Sequence, residues 1–415
     1  MTGTVSPANP LRAYAAVTAA YWAFMLSDGA LRMLVLLYFN TLGFTPLQLA
    51  WLFLLYELAG VVTNLYAGWL AARFGLAATL RAGLILQIGA LAALAQLDPA
   101  WGMAASVVFV MAVQGLSGVA KDLAKMSSKS AVKLLAPDGD GTLFRWVAAL
   151  TGSKNAVKGL GFLLGAVLLG VWGFAAAVWT MAAVLGAILI AVALFLPAGL
   201  PTGDKGAGFA GWISPDPRVN RLSLARLFLF AARDVWFVVG IPVYFQMVLS
   251  DGTAEGRRWA FFVIGGFLAL WIILYGAVQA AAPRIVGATG PDVVAKAVRW
   301  AGYLVPIPLA LALAAWTAGA PADWLTVTLI AGLLVFGFVF AVNSAVHSYL
   351  ILAFGDARRI SRDVGFYYMS NAAGRLLGTL LSGVSYQIGG LPLCLATAGL
   401  MAALSWMAAT RLQRV

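Results

Sequence analysis

The sequence predicts an all-α membrane protein of twelve transmembrane helices, arranged as two halves of six. Three observations lead there. Of 415 residues, 62% are hydrophobic and only 10% are charged, and mean hydropathy is +0.92, whereas a soluble domain carries about 25% charged residues. Twelve apolar stretches each reach the roughly 20 residues that a helix needs to cross about 30 Å of hydrocarbon. The longest polar break, "LPAGLPTGDKGAGFAGWISPDPRVNR", is rich in Pro and Gly and leaves six stretches on either side. The expected organisation is therefore a bundle over 1–199, a cytoplasmic linker over 200–220 and a second bundle over 221–415.

The first span, near 12–39, follows "MTGTVSPANPLR" and is too long for the core of a cleaved signal peptide, so none is expected. The second, near 46–72, starts after the turn "NTLGFTP", and the third, near 76–97, runs from the cation Arg73 to "LDPA". The fourth, near 101–127, sets Gln114, Ser117, Lys121, Lys125 and Ser128 at helical spacing, one polar stripe with Asp122 beside it. Lys129 and Lys133 beyond it are expected to reach the surface with their stems along the helix. The fifth, near 142–171, holds "TGSKNAVKGLGFLLG", with Lys154 and Lys158 on one face and small residues that let a neighbouring helix approach. The sixth, near 174–197, has no charge at all.

In the second half the seventh span, near 220–249, carries Arg233 and Asp234, and the eighth and ninth lie near 258–283 and 292–318. The tenth, near 323–353, contains Asn343 and His347, the only histidine, expected to be a hydrogen-bonded structural residue. The eleventh, near 361–388, carries Asn371 and Arg375, and the twelfth, near 391–411, follows "GGLP" and holds Cys394. The third, sixth, ninth and twelfth spans are nearly free of interior charge and are expected at the periphery. Lys and Arg concentrate in alternate loops, as at Arg73, Lys205, Arg218, Arg284, Arg358 and Arg411. By the positive-inside rule both termini are cytoplasmic and the excess charge of +12 needs no nucleic-acid partner.

The halves resemble each other. "SDGALRMLVLLYF" lies over "RDVWFVVGIPVYF", pairing Asp28 with Asp234, and "KGLG" lies over "RLLG", pairing Lys158 with Arg375. A duplicated six-plus-six architecture is how major facilitator transporters are built, with the binding site at the midplane between halves. Counting from the helix ends places Asp28, Glu57, Lys158, Arg233, Asp234 and Arg375 near mid-membrane, Arg32 slightly outward and Lys154 slightly inward. An intramembrane charge must pair or face a watery cavity. Some pairing is expected, for example of Arg32 or Arg233 with Asp28 or Asp234, but cations outnumber carboxylates. The surplus predicts a cavity for a small polyanion, with Arg32, Arg233 and Arg375 as planar forks and Lys121, Lys154 and Lys158 as point charges, assisted by Asn371. Asp28, Glu57 and Asp234 are candidates for proton coupling or charge pairing. Catalytic, nucleotide and metal motifs are absent from the sequence, so a transporter without cofactor, not an enzyme, is expected.

At these residues the chain resembles the ArsJ family, major facilitator permeases that export an organoarsenical. "AYWAFMLSDGALRMLVLLYF", "FLLYELAGVVTNLYAGWLAARFGL", "QGLSGVAKDLAKMSSKSAVKLL", "FRWVAALTGSKNAVKGLGFLLG" and "FYYMSNAAGRLLGTLLSG" carry the resemblance, which covers nearly the whole chain. It implies a bacterial inner-membrane exporter of 1-arseno-3-phosphoglycerate, formed by a partner glyceraldehyde-3-phosphate dehydrogenase acting with arsenate, and hence arsenate resistance. The single cysteine accords with this, because trivalent arsenic needs several thiolates whereas a pentavalent oxyanion does not. Two other functions fit the residues alone: an exchanger of organophosphates or other organic anions in the same fold, and a transporter-like sensor.

Overall fold

The computed structural model describes residues 10–98, 100–135, 142–196, 214–287, 292–354 and 360–414, and these are helical apart from short connections. In chain order the helices are α1 (Pro10–Thr41), α2 (Pro46–Leu52), α3 (Leu54–Phe74), α4 (Leu76–Leu94), α5 (Met103–Leu135), α6 (Thr142–Trp172) and α7 (Phe174–Phe195). They continue with α8 (Pro217–Val235), α9 (Ile241–Leu249), α10 (Ala254–Val286), α11 (Val293–Leu304), α12 (Pro306–Ala318), α13 (Asp323–Phe354) and α14 (Ile360–Thr410). Most of the linker expected over 200–220, with Lys205, lies outside the described residues, as do Arg358 and the side chains of Lys129 and Lys133.

Among the described residues, eleven stretches are long and apolar enough to cross a membrane. The last of them, Asp363–Thr410, has 48 residues, more than twice the roughly 20 that one crossing uses. It breaks at Gly389 and Gly390, where Gly390 has φ 62°, a left-handed conformation that side chains disfavour. The break reverses the chain ahead of Pro392 and makes two crossings of one stretch, twelve among the described residues. An even number brings both described chain ends to the same end of the bundle.

Three other crossings are each assembled from two helical pieces, which hydrophobic periodicity did not predict. α2 opens with a capping box: Thr45 Oγ1 accepts from Gln48 N, and Gln48 Oε1 accepts from Thr45 N at 2.9 Å. It gives way to α3 at Phe53. Between α8 and α9 runs a single π-helical turn, Trp236–Gly240, just ahead of Pro242. Ser382 Oγ accepts from the backbone N–H groups of Val239 and Gly240, both at 3.2 Å, and Cys394 Sγ donates to Val235 O at 3.1 Å. These side chains satisfy backbone groups that a wider turn exposes, which the bilayer core requires. α11 passes to α12 at Pro306, whose ring lacks an N–H to donate.

Burial follows charge at the extremes, although the third span, Ala77–Leu94, expected at the periphery, is as buried as the second, fourth and fifth. In their most apolar stretches 78% of the residues of α1 and of the α8–α9 crossing are buried, against 28% in α7 and 33% in α11–α12. The sixth and ninth spans are thus peripheral, as expected from their lack of charge. Their outward side chains include Phe195, Leu194 and Trp316, apolar groups suited to lipid.

Candidate functional site

α1 crosses α6 at very close range. A Cβ on Gly29 would stand 2.5 Å from Lys158 O, and one on Gly161 or Gly165 would collide with the carbonyls of Leu26 or Ala30. The small residues of "KGLGFLLG" therefore bring two backbones together, and the same crossing places Lys158 against Asp28. Lys158 Nζ donates to Asp28 Oδ2 at 2.6 Å, and Tyr56 OH donates to Asp28 Oδ1. In the second half α14 crosses α8 similarly, with Gly374 and Gly378 against the carbonyls of Leu227 and Ala231. Arg375 Nε then lies 3.4 Å from Asp234 Oδ2. The two pairs of residues matched by internal similarity, Asp28 with Asp234 and Lys158 with Arg375, make corresponding contacts.

Glu57 of α3 ties the halves together. Its Oε1 accepts from Arg32 Nη1 at 2.9 Å and from Arg375 Nη2 at 2.6 Å. Arg233 Nε donates to the neighbouring Asp234. The pairing expected for Arg32 therefore goes to Glu57, not to Asp28 or Asp234, because Asp28 is already taken up by Lys158 of α6 and Tyr56 of α3 while Glu57 lies within reach on α3. On the α5 stripe Asp122 accepts from Lys125 at 3.2 Å and from Thr63. Lys121 has no carboxylate within 4 Å among the described residues; its ammonium lies over the Tyr56 ring, 4.1 Å from the centroid.

These groups surround a cavity of about 210 Å³ that extends from the middle of the bundle toward the end with the chain termini. The structure brings to its wall Arg32, Lys121, Lys154, Lys158, Arg233, Asn371 and Arg375, together with Glu57 and Asp234. Asp28 stands just behind Lys158. Arg226, Asn64 and Gln279 are among the wall groups that were not singled out from the sequence. Arg226 is 4% exposed and donates to Asn371 Oδ1 at 3.0 Å and to Ser344 O and Oγ at 2.9 Å. Asn64 accepts from Lys125 at 2.6 Å, and Gln279 accepts from Asn155 at 3.3 Å. Arg226 precedes Arg233 by seven residues, two helical turns, so the sequence carried the signal that both share a face.

Among the described residues eight cations line the cavity against the carboxylates Glu57, Asp122 and Asp234, so even with Asp28 counted the wall is positive. Each of these four carboxylates has a cation within 3.4 Å. His347 departs from expectation. It is fully buried, and neither ring nitrogen has a hydrogen-bond partner among the described residues; Asn343, one turn before it, has none at its amide either. Cys394 is buried against Val235, away from the cavity wall.

Residues 17–351 match the Major Facilitator Superfamily. The chain belongs to that superfamily. Its members are transporters, so this major facilitator protein is a multi-pass membrane transporter and not an enzyme. Two solved structures share the fold. The human organic anion transporter MFSD10 (TETRAN) aligns with a TM-score of 0.64 at 17% identity, over 97% of this chain and 100% of that one. The nucleoside transporter NupG aligns with a TM-score of 0.69 at 14% identity, over 98% of this chain and 99% of that one. No curated protein matches the facilitator in sequence.

Proposed function

We propose that this facilitator exports a small organic polyanion, and that the substrate is 1-arseno-3-phosphoglycerate. The observation that carries the reading is the cation excess on the cavity wall, since fixed positive charge in a low-dielectric cleft is balanced best by a mobile anion. Arg32, Arg233 and Arg375 supply forks for phosphate-like oxygens, Lys121, Lys154 and Lys158 supply point charges, and Asn371 donates a neutral hydrogen bond. The identity of the anion rests on the resemblance to the ArsJ family. On that reading the transporter sits in a bacterial inner membrane with both termini cytoplasmic, its halves are 1–199 and 221–415, and a glyceraldehyde-3-phosphate dehydrogenase supplies its substrate.

A second reading, exchange of ordinary organophosphates against phosphate, is favoured by one observation. Asp28, Glu57 and Asp234 are all held by cations, which suits charge pairing better than a carboxylate carrying protons across.

Everted vesicles separate the two. With arsenate, glyceraldehyde 3-phosphate, NAD and the dehydrogenase present, arsenic is expected to accumulate inside only when all four are supplied. Arg375→Gln is expected to abolish the accumulation with the protein still in the membrane. Accumulation from arsenate alone would point to an inorganic-anion exporter. Arsenic exclusion together with counterflow of glycerol 3-phosphate against phosphate would establish the exchanger.

A further inference from the structure

Arg226 poses a problem that the mid-membrane charges do not. Arg32, Arg233 and Arg375 each have a carboxylate partner, but the partners of Arg226 are neutral: the Asn371 amide, the Ser344 hydroxyl and the Ser344 carbonyl. No carboxylate lies within 4 Å of it among the described residues, yet it is 4% exposed and on the cavity wall. A buried cation without a counter-charge is strongly disfavoured. Its position is fixed as well, since three acceptors hold the guanidinium and it packs over the rings of Phe230 and Tyr367. It is a charge held ready for something that is not part of the wall.

Phe230 supplies the spacing. Its ring centre lies 4.2 Å from Arg226 Cζ and 4.8 Å from Arg233 Cζ. The two guanidinium carbons are therefore no more than roughly 9 Å apart, while their Cα atoms are about 10 Å apart along α8. Near Arg233 stands the mid-membrane group with Arg32, whose Nη2 is buried without a partner. Toward the end with the chain termini stands Arg226, with Asn371 between its own helix turn and that of Arg375.

We propose that Arg226 anchors a second anion subsite, so that the cavity takes a two-ended anion whose charged groups are separated by a short chain lying along Phe230. One oxyanion group engages Arg32, Lys121 and Arg233. The other engages Arg226 and the amide hydrogens of Asn371, whose oxygen is already committed to the guanidinium. A ligand with a single anionic group leaves one subsite unbalanced and binds more weakly. This deepens the polyanion reading and rests on it, by requiring charge at both ends of the ligand.

The test is calorimetric titration of the purified full-length protein in lipid nanodiscs with 3-phosphoglycerate, which is anionic at both ends. The comparison ligand is glycerol 3-phosphate, which has a neutral hydroxyl where the carboxylate was. The wild-type protein is expected to prefer 3-phosphoglycerate by about tenfold in Kd, and R226Q to bring the ratio below about twofold. Removing Arg226 strands no carboxylate, so the variant is expected to fold. Asn371→Leu, which takes away the amide that holds the guanidinium, should lower the ratio in the same direction. A wild-type ratio near one, or a wild-type ratio retained in both variants, overturns the proposal. Because neither probe contains arsenic, the arsenic-vesicle assay can fail while this ratio holds, and the ratio can fail while arsenic export holds.

Discussion

Lys158 answers to two masters: it neutralises Asp28 at 2.6 Å and presents its ammonium to the cavity. Removing one partner of a buried pair costs about 3–5 kcal/mol, because the remaining charge is stranded. Lys158→Met is therefore expected to lower the thermal stability of the detergent-solubilised protein by that order and to stop transport. Asp28→Asn combined with Lys158→Met removes both charges, so stability should recover while transport stays lost. Recovery of transport in the double variant would reduce Lys158 to a structural partner and take away a main support of the cationic cavity. At this scale the sequence was informative about which residues matter and poor about whom they touch. Every candidate near mid-membrane reached the wall or its backing, because a charge in that zone has few places to go. The choice of Glu57 over Asp28 for Arg32 depended on how α3 and α6 pack against α1, which periodicity does not resolve. Arg226 escaped notice although its spacing from Arg233 was visible, since position along the helix says nothing of whether a partner acid waits on the next one.

Helix crossings are set by what is missing from them. Gly161 and Gly165 on α6 lie against the carbonyls of Leu26 and Ala30, so any side chain there must push α1 away and carry Asp28 off Lys158. Gly165→Leu is expected to abolish the monodisperse peak in size-exclusion chromatography, an overpacking penalty at the upper end of the usual 1–3 kcal/mol or beyond, because backbone cannot step aside. Gly186 on α7 has nothing within 4 Å of the Cβ it lacks, and Gly186→Ala should elute as the wild type does. A wild-type profile for Gly165→Leu would mean that the α1–α6 seam is not what positions the pair. The small residues of this seam were legible in "KGLGFLLG", and the spans themselves were legible from length and hydropathy. The breaks at Phe53, in the Trp236–Gly240 turn and ahead of Pro306 were not. They are settled by a few backbone hydrogen bonds, some from side chains on distant helices such as Ser382, and hydropathy averages over them.

The whole molecule is asymmetric from end to end. At the end remote from the termini the halves are in contact: Gly383 of α14 fits against Pro46 O, Leu47 and Ala50 of α2, and Leu47 N reaches Gln387 Oε1 at 3.5 Å. On the other side of the bundle α6 meets α10, with Gly159 against Ala269 O and Gly265 against Ala166. The cavity therefore ends in packed side chains in that direction, and the mid-membrane network of Glu57, Arg375 and Asp234 lies directly below the α2–α14 contact. A transporter that binds at this depth must part the halves to release its ligand on that side, and parting α2 from α14 is the expected route because the Glu57–Arg375 bridge is a charged contact between the halves that lies below it. Cysteines at positions 47 and 387 make this measurable, since native Cys394 is fully buried and offers no competing thiol at the surface. In the Leu47→Cys, Gln387→Cys protein, oxidation should form an intramolecular disulfide and stop transport in vesicles, and a reductant should restore it. The singly substituted proteins should be indifferent to the oxidant. Undiminished transport by fully cross-linked protein would show that release does not pass between α2 and α14, and would move the exit to the α6–α10 seam, where small residues also bring the two halves together.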